Sequence, residues 1–178
     1  MKILKTIGLA FIFMIVFALV VALFVSNEMN YEKSITINAP IDSVWENVNS
    51  LSDLDKWSPW NDYDPNMKKE MTGTDGTIGA KQSWDSDHEK VGKGSQAIAK
   101  INAPTLFETD LKFYEPFESE AIAYVKLVDE GSSTKVTWGF ESEMNYPFNL
   151  MKLLMDMEEA MDKDWNNGLG KLKQLSEK

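Results

Sequence analysis

Ile7 to Val25 reads IGLAFIFMIVFALVVALFV, nineteen residues with no charge and no proline. No polar face interrupts it at helical spacing, so a helix here has no side to turn towards water. At ~1.5 Å per residue it nearly spans a ~30 Å hydrocarbon core. Lys2 and Lys5 precede it and only Lys33 follows closely. The positive-inside rule then places the N-terminus in the cytoplasm and the rest of the chain outside; a bacterial envelope is the expected setting, its type left open. A cleaved signal peptide usually has an apolar region of ~7–15 residues and a small-x-small exit. Here Phe24 and Val25 stand at the exit, and no cysteine is present for lipoprotein processing. The expectation is an uncleaved single-pass anchor over residues 1–26, a linker over 27–31 and one domain over 32–178.

Beyond the linker the apolar period changes from continuous to two. Ile35 and Ile37 alternate with Ser34 and Thr36, which predicts a strand over Glu32–Asn38. Pro40 suits a first helical turn, and Ile41, Val44, Trp45 and Val48 repeat at helical spacing. A second short helix, Leu51 to Lys56, leads into Trp57-Ser58-Pro59-Trp60 and a polar loop, Asn61 to Asn66. Short strands follow near 67–73, 79–86, 94–102, 107–115, 120–128 and 134–143, separated by turn signals such as Gly73-Thr74-Asp75-Gly76. The chain closes with a long helix over about Pro147–Leu175. Its stripe is Leu150, Leu154, Met157, Met161, Trp165, Leu169 and Leu172. Hairpin-length connections between the strands predict an α+β domain with a curved antiparallel sheet of about seven strands.

Strand parity indicates the faces. Phe107, Leu111 and Phe113 oppose Glu108, Asp110 and Lys112, while Val136, Trp138 and Phe140 oppose Lys135, Thr137 and Glu141. On the strand near 94–102 the expected inner face is Ala97, Ala99 and Ile101. Small residues there leave room between sheet and helix, although most such layers pack solid.

Composition narrows the chemistry. All 18 basic residues are lysine, so a planar bidentate clamp for phosphate is missing. Past the anchor, 16 lysines stand against 28 acidic residues, a net charge of −12. Such a surface repels nucleic acid and strongly anionic lipid. Without cysteine there is neither a thiol nucleophile nor a thiolate metal site.

The order of elements and the residues Ser34-Ile-Thr-Ile-Asn-Ala-Pro40, Val44-Trp45, Trp57-Ser-Pro-Trp60 and Asp64-Pro65 resemble the polyketide cyclase/dehydrase-like branch of the SRPBCC superfamily. Gly73-Thr-Asp-Gly-Thr-Ile-Gly79, Trp84, Val91-Gly-Lys-Gly94 and Thr134-Lys-Val-Thr-Trp138 continue the resemblance, which covers about residues 32 to 175. It implies a helix-grip fold, with the sheet wrapped on the long C-terminal helix. It also implies a cavity beneath that helix of the kind that holds lipids, sterols or polyketides. A minority of the superfamily are enzymes.

The candidate cavity residues are Trp84, Phe113, Trp138 and Phe140 from inward strand positions, Met151 and Met155 from the start of the last helix, and Trp57 and Trp60 as an aromatic lip. Methionine suits a pocket of variable apolar shape, but at helical spacing it is also ordinary core filling. Asp62, Asp64 and Asn66 begin like a calcium loop, yet Met67 and Gly73 occupy the positions where that loop needs Gly and Glu. His88, the only histidine, lies in a polar turn expected to face water. Tyr114 and Tyr124 are the remaining acid–base candidates. Gly168 and Gly170 interrupt the last helix for close packing or a kink. No catalytic set, metal site or cofactor is expected.

Three functions remain open at this point: a membrane-anchored module that binds a hydrophobic small molecule or lipid, a cyclase- or dehydrase-like enzyme, and a domain with a filled core that docks on another membrane protein. A cavity above ~300 Å³ favours the first over the third. The uncleaved anchor is testable by intact mass of the membrane-extracted protein. The expected chain begins at Met1 or Lys2; a mature chain beginning near Ser26 or Asn27 contradicts it.

Overall fold

The structure, a computed structural model, describes residues 2–115, 118–153 and 157–178. Helix α1 (Lys2–Ala22) stands first, then strand β1 (Glu28–Ile37) and three short helices, α2 (Ile41–Trp45), α3 (Leu51–Trp57) and α4 (Trp60–Tyr63). Six strands follow: β2 (Lys68–Thr72), β3 (Lys81–Asp85), β4 (Lys93–Asn102), β5 (Leu106–Glu115), β6 (Ser119–Asp129) and β7 (Thr134–Glu143). A 3-10 helix (Phe148–Leu153) and helix α5 (Met157–Ser176) complete the described chain. All seven strands form one antiparallel sheet in the order β1-β7-β6-β5-β4-β3-β2, the helix-grip arrangement.

One half of the space between sheet and α5 is solid. Ile37, Val44, Val48, Val136, Leu169 and Leu172 are completely shielded there, and Trp165 and Leu127 complete the packing. A smaller cluster of Leu51, Ala80, Ile98 and Phe107 fills the space under α3. The 3–4 stepping of Trp165, Leu169 and Leu172 is what lets one face of α5 serve this core.

Four expectations need correction. Strand β1 begins at Glu28 and pairs Glu28 with Glu143, so it takes up residues assigned to the linker. Residues 148–153 form a 3-10 turn rather than the start of a long α-helix; Leu154 and Met155 lie outside the described residues. On β4, Gln96 and Ile98 look inward instead of Ala97 and Ala99. A register shift between Ile98 and Lys100 then restores Ile101 to the inner side. Finally, Trp60–Tyr63 of the polar loop adds one helical turn.

The turn between β2 and β3 also builds α3. Ser50 caps that helix by accepting from the Asp53 N–H (3.1 Å). Asp75 receives the next N–H groups, Leu51 on Oδ1 (2.9 Å) and Ser52 on Oδ2 (3.0 Å). Gly76, at φ +75°, turns the chain so that Asp75 can reach them. Burial alone would raise the Asp75 carboxyl, but hydrogen bonds from Ser52, Leu51 and Gly76 outweigh it and hold it below its ordinary 3.8. A carboxylate whose folded value is lowered stabilises the fold above its unfolded value, and that contribution fades as the pH falls. Asp75→Asn keeps one acceptor but loses the charge and the second acceptor beside the start of α3, and should cost about 0.5–1.5 kcal/mol at neutral pH. The gap from wild type, measured by chemical unfolding, should narrow as pH drops through 4 towards 2. A gap independent of pH would contradict the charge-based account.

Candidate ligand cavity

Towards the α1 end of the sheet the two layers part. The space between them is a partly open cavity of about 350 Å³. Its concave wall comes from inward strand positions: Met29 on β1, Trp84 on β3, Leu111 and Phe113 on β5, Ala123 on β6, and Trp138 and Phe140 on β7. Met161 and Trp165 of α5 close it from the other side, with Leu54, Trp57 and Trp60 of α3 and α4.

The floor is a cluster of four tryptophans. Trp138 and Trp165 are stacked, with centroids 4.5 Å apart and planes at 21°. Trp57 stands edge-on to Trp138 at 4.9 Å, and Trp60 edge-on at 5.7 Å. Such edge and offset contacts suit the ring quadrupoles and fix each ring's orientation. Trp57 is 2% exposed and its Nε1 donates to the Asn47 carbonyl (2.9 Å). Trp57 is therefore buried in the floor rather than a lip, while Trp60, half-buried, lines the cavity beside it. Gly168 permits this closeness: a Cβ there would lie 2.8 Å from a Trp138 ring carbon and 3.3 Å from Pro59 Cδ. The close-packing reading thus holds for Gly168; at Gly170 a Cβ would meet open space.

One side of the cavity is polar. Lys69 of β2 donates to Asp55 Oδ1 (2.8 Å) and Asn61 Oδ1 (2.7 Å), and Gln82 Nε2 donates to Asp55 Oδ2 (2.8 Å). This network bridges the sheet's free edge to α3 and α4, with all four residues lining the cavity. Sequence reasoning missed it. A signal existed for Gln82, which lies two residues before the inward Trp84 and so shares its face. Lys69 becomes visible only through the register, which pairs it with Trp84.

Lys90 and Val91, in the connection between β3 and β4, also line the cavity. The Lys90 ammonium lies over the Tyr63 ring at 4.9 Å, and the His88 ring packs on the same tyrosine with centroids 5.4 Å apart. His88 is therefore half-buried against α4 instead of facing water. Tyr63 donates to Asp164 Oδ1 of α5 (2.7 Å), and that bond to a carboxylate raises its hydroxyl above the usual range.

Of the eight cavity candidates, Trp57, Trp60, Trp84, Phe113, Trp138 and Phe140 lie on this cavity. Met151 does not: it sits on the 3-10 helix, 43% exposed. Met155 falls outside the described residues. The two tyrosines considered for acid–base work face away from the cavity. Tyr114 bonds Ser95 (3.0 Å). Tyr124 lies across Gly139 and donates to Glu32 (3.0 Å); burial and that carboxylate push it up to about 12. Asp62 is bonded by Asn167 and Lys171, and Asp64 by Ser86. Among the described residues, no three His, Asp or Glu side chains stand together as a metal site would require.

Comparison with known proteins places this geometry. The sequence model of the family described as "Polyketide cyclase / dehydrase and lipid transport" matches residues 29–177. No curated protein sequence matches the chain. Truncated norcoclaurine synthase from Thalictrum flavum superposes with a TM-score of 0.62 at 14% identity, covering 85% of this chain and 94% of that one. A protein from Nitrosospira multiformis gives 0.59 at 16% identity, covering 82% and 94%. Ara h 8.0201 gives 0.55 at 14% identity, covering 84% and 95%. At these identities the likeness is one of fold.

Proposed function

Since the chain belongs to the polyketide cyclase/dehydrase and lipid transport family, we propose that it holds a hydrophobic small molecule or lipid beneath α5 while α1 anchors it in a membrane. The cavity carries this reading. At about 350 Å³ it lies within the range of small-molecule sites, and its walls are mainly aromatic and aliphatic side chains. A domain built only to dock on a partner has no use for space in its core, because unfilled apolar volume destabilises.

The lining also suggests the ligand's shape. An apolar body would lie against Trp84, Phe113, Phe140 and the tryptophan floor. A single polar group, a carboxyl or hydroxyl, would meet Lys69 and Gln82 on the polar side. The few convergent polar groups would fix orientation, and the apolar walls would supply affinity. Helix α1 is long and apolar enough to cross a membrane, and the lysines before it favour a cytoplasmic N-terminus. The binding domain then works on the far side, next to the bilayer that supplies its ligand.

The test compares the full chain with Ala123→Phe, both in lipid nanodiscs, titrated with a fluorescent fatty acid and read by energy transfer from the tryptophan floor. Ala123 lines the cavity wall, so a ring at that position occupies the ligand's space. Partition of the probe into lipid is the same in both samples and cancels. Wild type should bind saturably, and the variant at least about tenfold more weakly, or ~1.4 kcal/mol. The variant's unfolding free energy should fall by less than ~1 kcal/mol, since no packed atoms are displaced. Absent binding in wild type, together with an overpacking cost of ~1–3 kcal/mol in the variant, would favour a filled core and a docking role.

A further inference from the structure

The sheet has two ends, and the register says which one the cavity opens on. Strand β1 leaves α1 at Glu28, which pairs with Glu143. Across the sheet, the α1 end continues through Ser119 and Phe113, Gly94 and Trp84, and Lys68 and Asp85. Met29, Trp84 and Phe113 belong to the first rungs at this end, and Met67, Lys90 and Val91 lie in the connections just outside them. At the opposite end the layers are closed by Ile37, Val44, Leu127, Val136 and Leu172. The mouth of the cavity therefore faces the end from which α1 departs.

That end is also fastened to α1. Asn149 of the 3-10 helix is 1% exposed, and its Nδ2 donates to the carbonyls of Ala22 and Val25 (2.8 Å each) and to Asn27 Oδ1 (3.0 Å). Lys152 donates to the Ser26 carbonyl (3.0 Å) and to that of Glu28. The last carbonyls of a helix lack partners within it. Here a domain side chain supplies one, which ties the 3-10 helix to the end of α1. Only five residues, 23–27, separate α1 from β1, a reach of at most ~20 Å between Ala22 and Glu28.

The same short helix exposes apolar side chains. Phe148 is 66% exposed and Leu153 62%, with Tyr146 and Met151 beside them in the chain, and Leu23 and Phe24 continue the apolar surface of α1. A water-soluble domain has no reason to gather these residues where its membrane helix ends. We infer that segment 146–153 lies in the bilayer interface and presses the cavity mouth against the membrane, so that a lipid passes between bilayer and cavity without crossing water. The occupant of this surface is the lipid of the anchor's own bilayer. The domain carries a net charge of −12 past residue 26, so apolar contact rather than attraction to anionic headgroups must hold the segment there. The inference rests on the reading of α1 as a membrane span.

The chain contains no cysteine, so single cysteines give one label each. The full chain would be reconstituted in phosphatidylcholine vesicles with an environment-sensitive fluorophore at Phe13→Cys, Phe148→Cys, Leu153→Cys or Val128→Cys. Lipids spin-labelled near the headgroup or at the chain end serve as quenchers. All four side chains are exposed, so the substitutions leave the packing intact. Val128 lies near the β6–β7 turn, at the far end of the sheet. The expected pattern is quenching of position 13 by chain-end labels, of 148 and 153 by headgroup-region labels, and of 128 by neither, unchanged at high salt. If 13 is quenched while 148 and 153 behave like 128, the anchor stands and this inference falls. If 13 is not quenched, both fall.

Discussion

Helix α5 meets the sheet through the stacked rings of Trp138 and Trp165, and the rest of the domain follows from that contact. On one side of the stack, residues small enough to interdigitate, Val136, Leu169 and Leu172, close the gap completely. On the other, two tryptophan-sized layers hold the helix off the sheet, and the wall opposite it narrows to Ala123. Bulk at the fulcrum and a small residue beyond it leave a void that the main chain cannot collapse without unstacking the rings. Gly168 sets the fulcrum's height by admitting Trp138 and Pro59 close to the helix backbone. Trp57 and Trp60 then brace it edge-on, tying the Trp-Ser-Pro-Trp segment to the same point.

A void of this kind costs stability unless something fills it. Its lining is mainly apolar, with the Lys69–Asp55–Gln82 network on one side, and on the proposed function an apolar occupant fills it in one preferred orientation. The mouth opens where α1 leaves the domain. Fold, cavity and apolar N-terminal helix therefore form a single arrangement: the closed end of the grip points away from α1, and the open end points towards it.

How much of this the sequence shows depends on the range of the interaction. The strands are legible because their apolar alternation is local: the span 134–143 coincides with β7, Phe107 faces the core under α3, and Phe113, Trp138 and Phe140 face the cavity. The inner face of β4 was misread because the register shift after Ile98 breaks the period of two that parity assumes. The start of the last helix was misread because Leu150 continues its stripe, while the 3-10 turn there answers to Asn149 reaching the end of α1, a contact 127 residues away in sequence. Lys69 is not legible for the same reason, since its role depends on which strand lies beside β2. The aromatic floor was visible as residues but not as a floor, because only the crossing of α5 brings Trp165 onto Trp138.

On the proposed function, the space beside the tryptophan stack is occupied by an apolar molecule in the working protein. Native mass spectrometry of the full chain, released from membranes in mild detergent, tests it directly, with Ala123→Phe purified alongside. The expected result is a wild-type peak carrying one apolar molecule, released on solvent extraction, and a variant peak at the mass of the bare chain. Bare chain in both samples, or the same adduct on both, would contradict it.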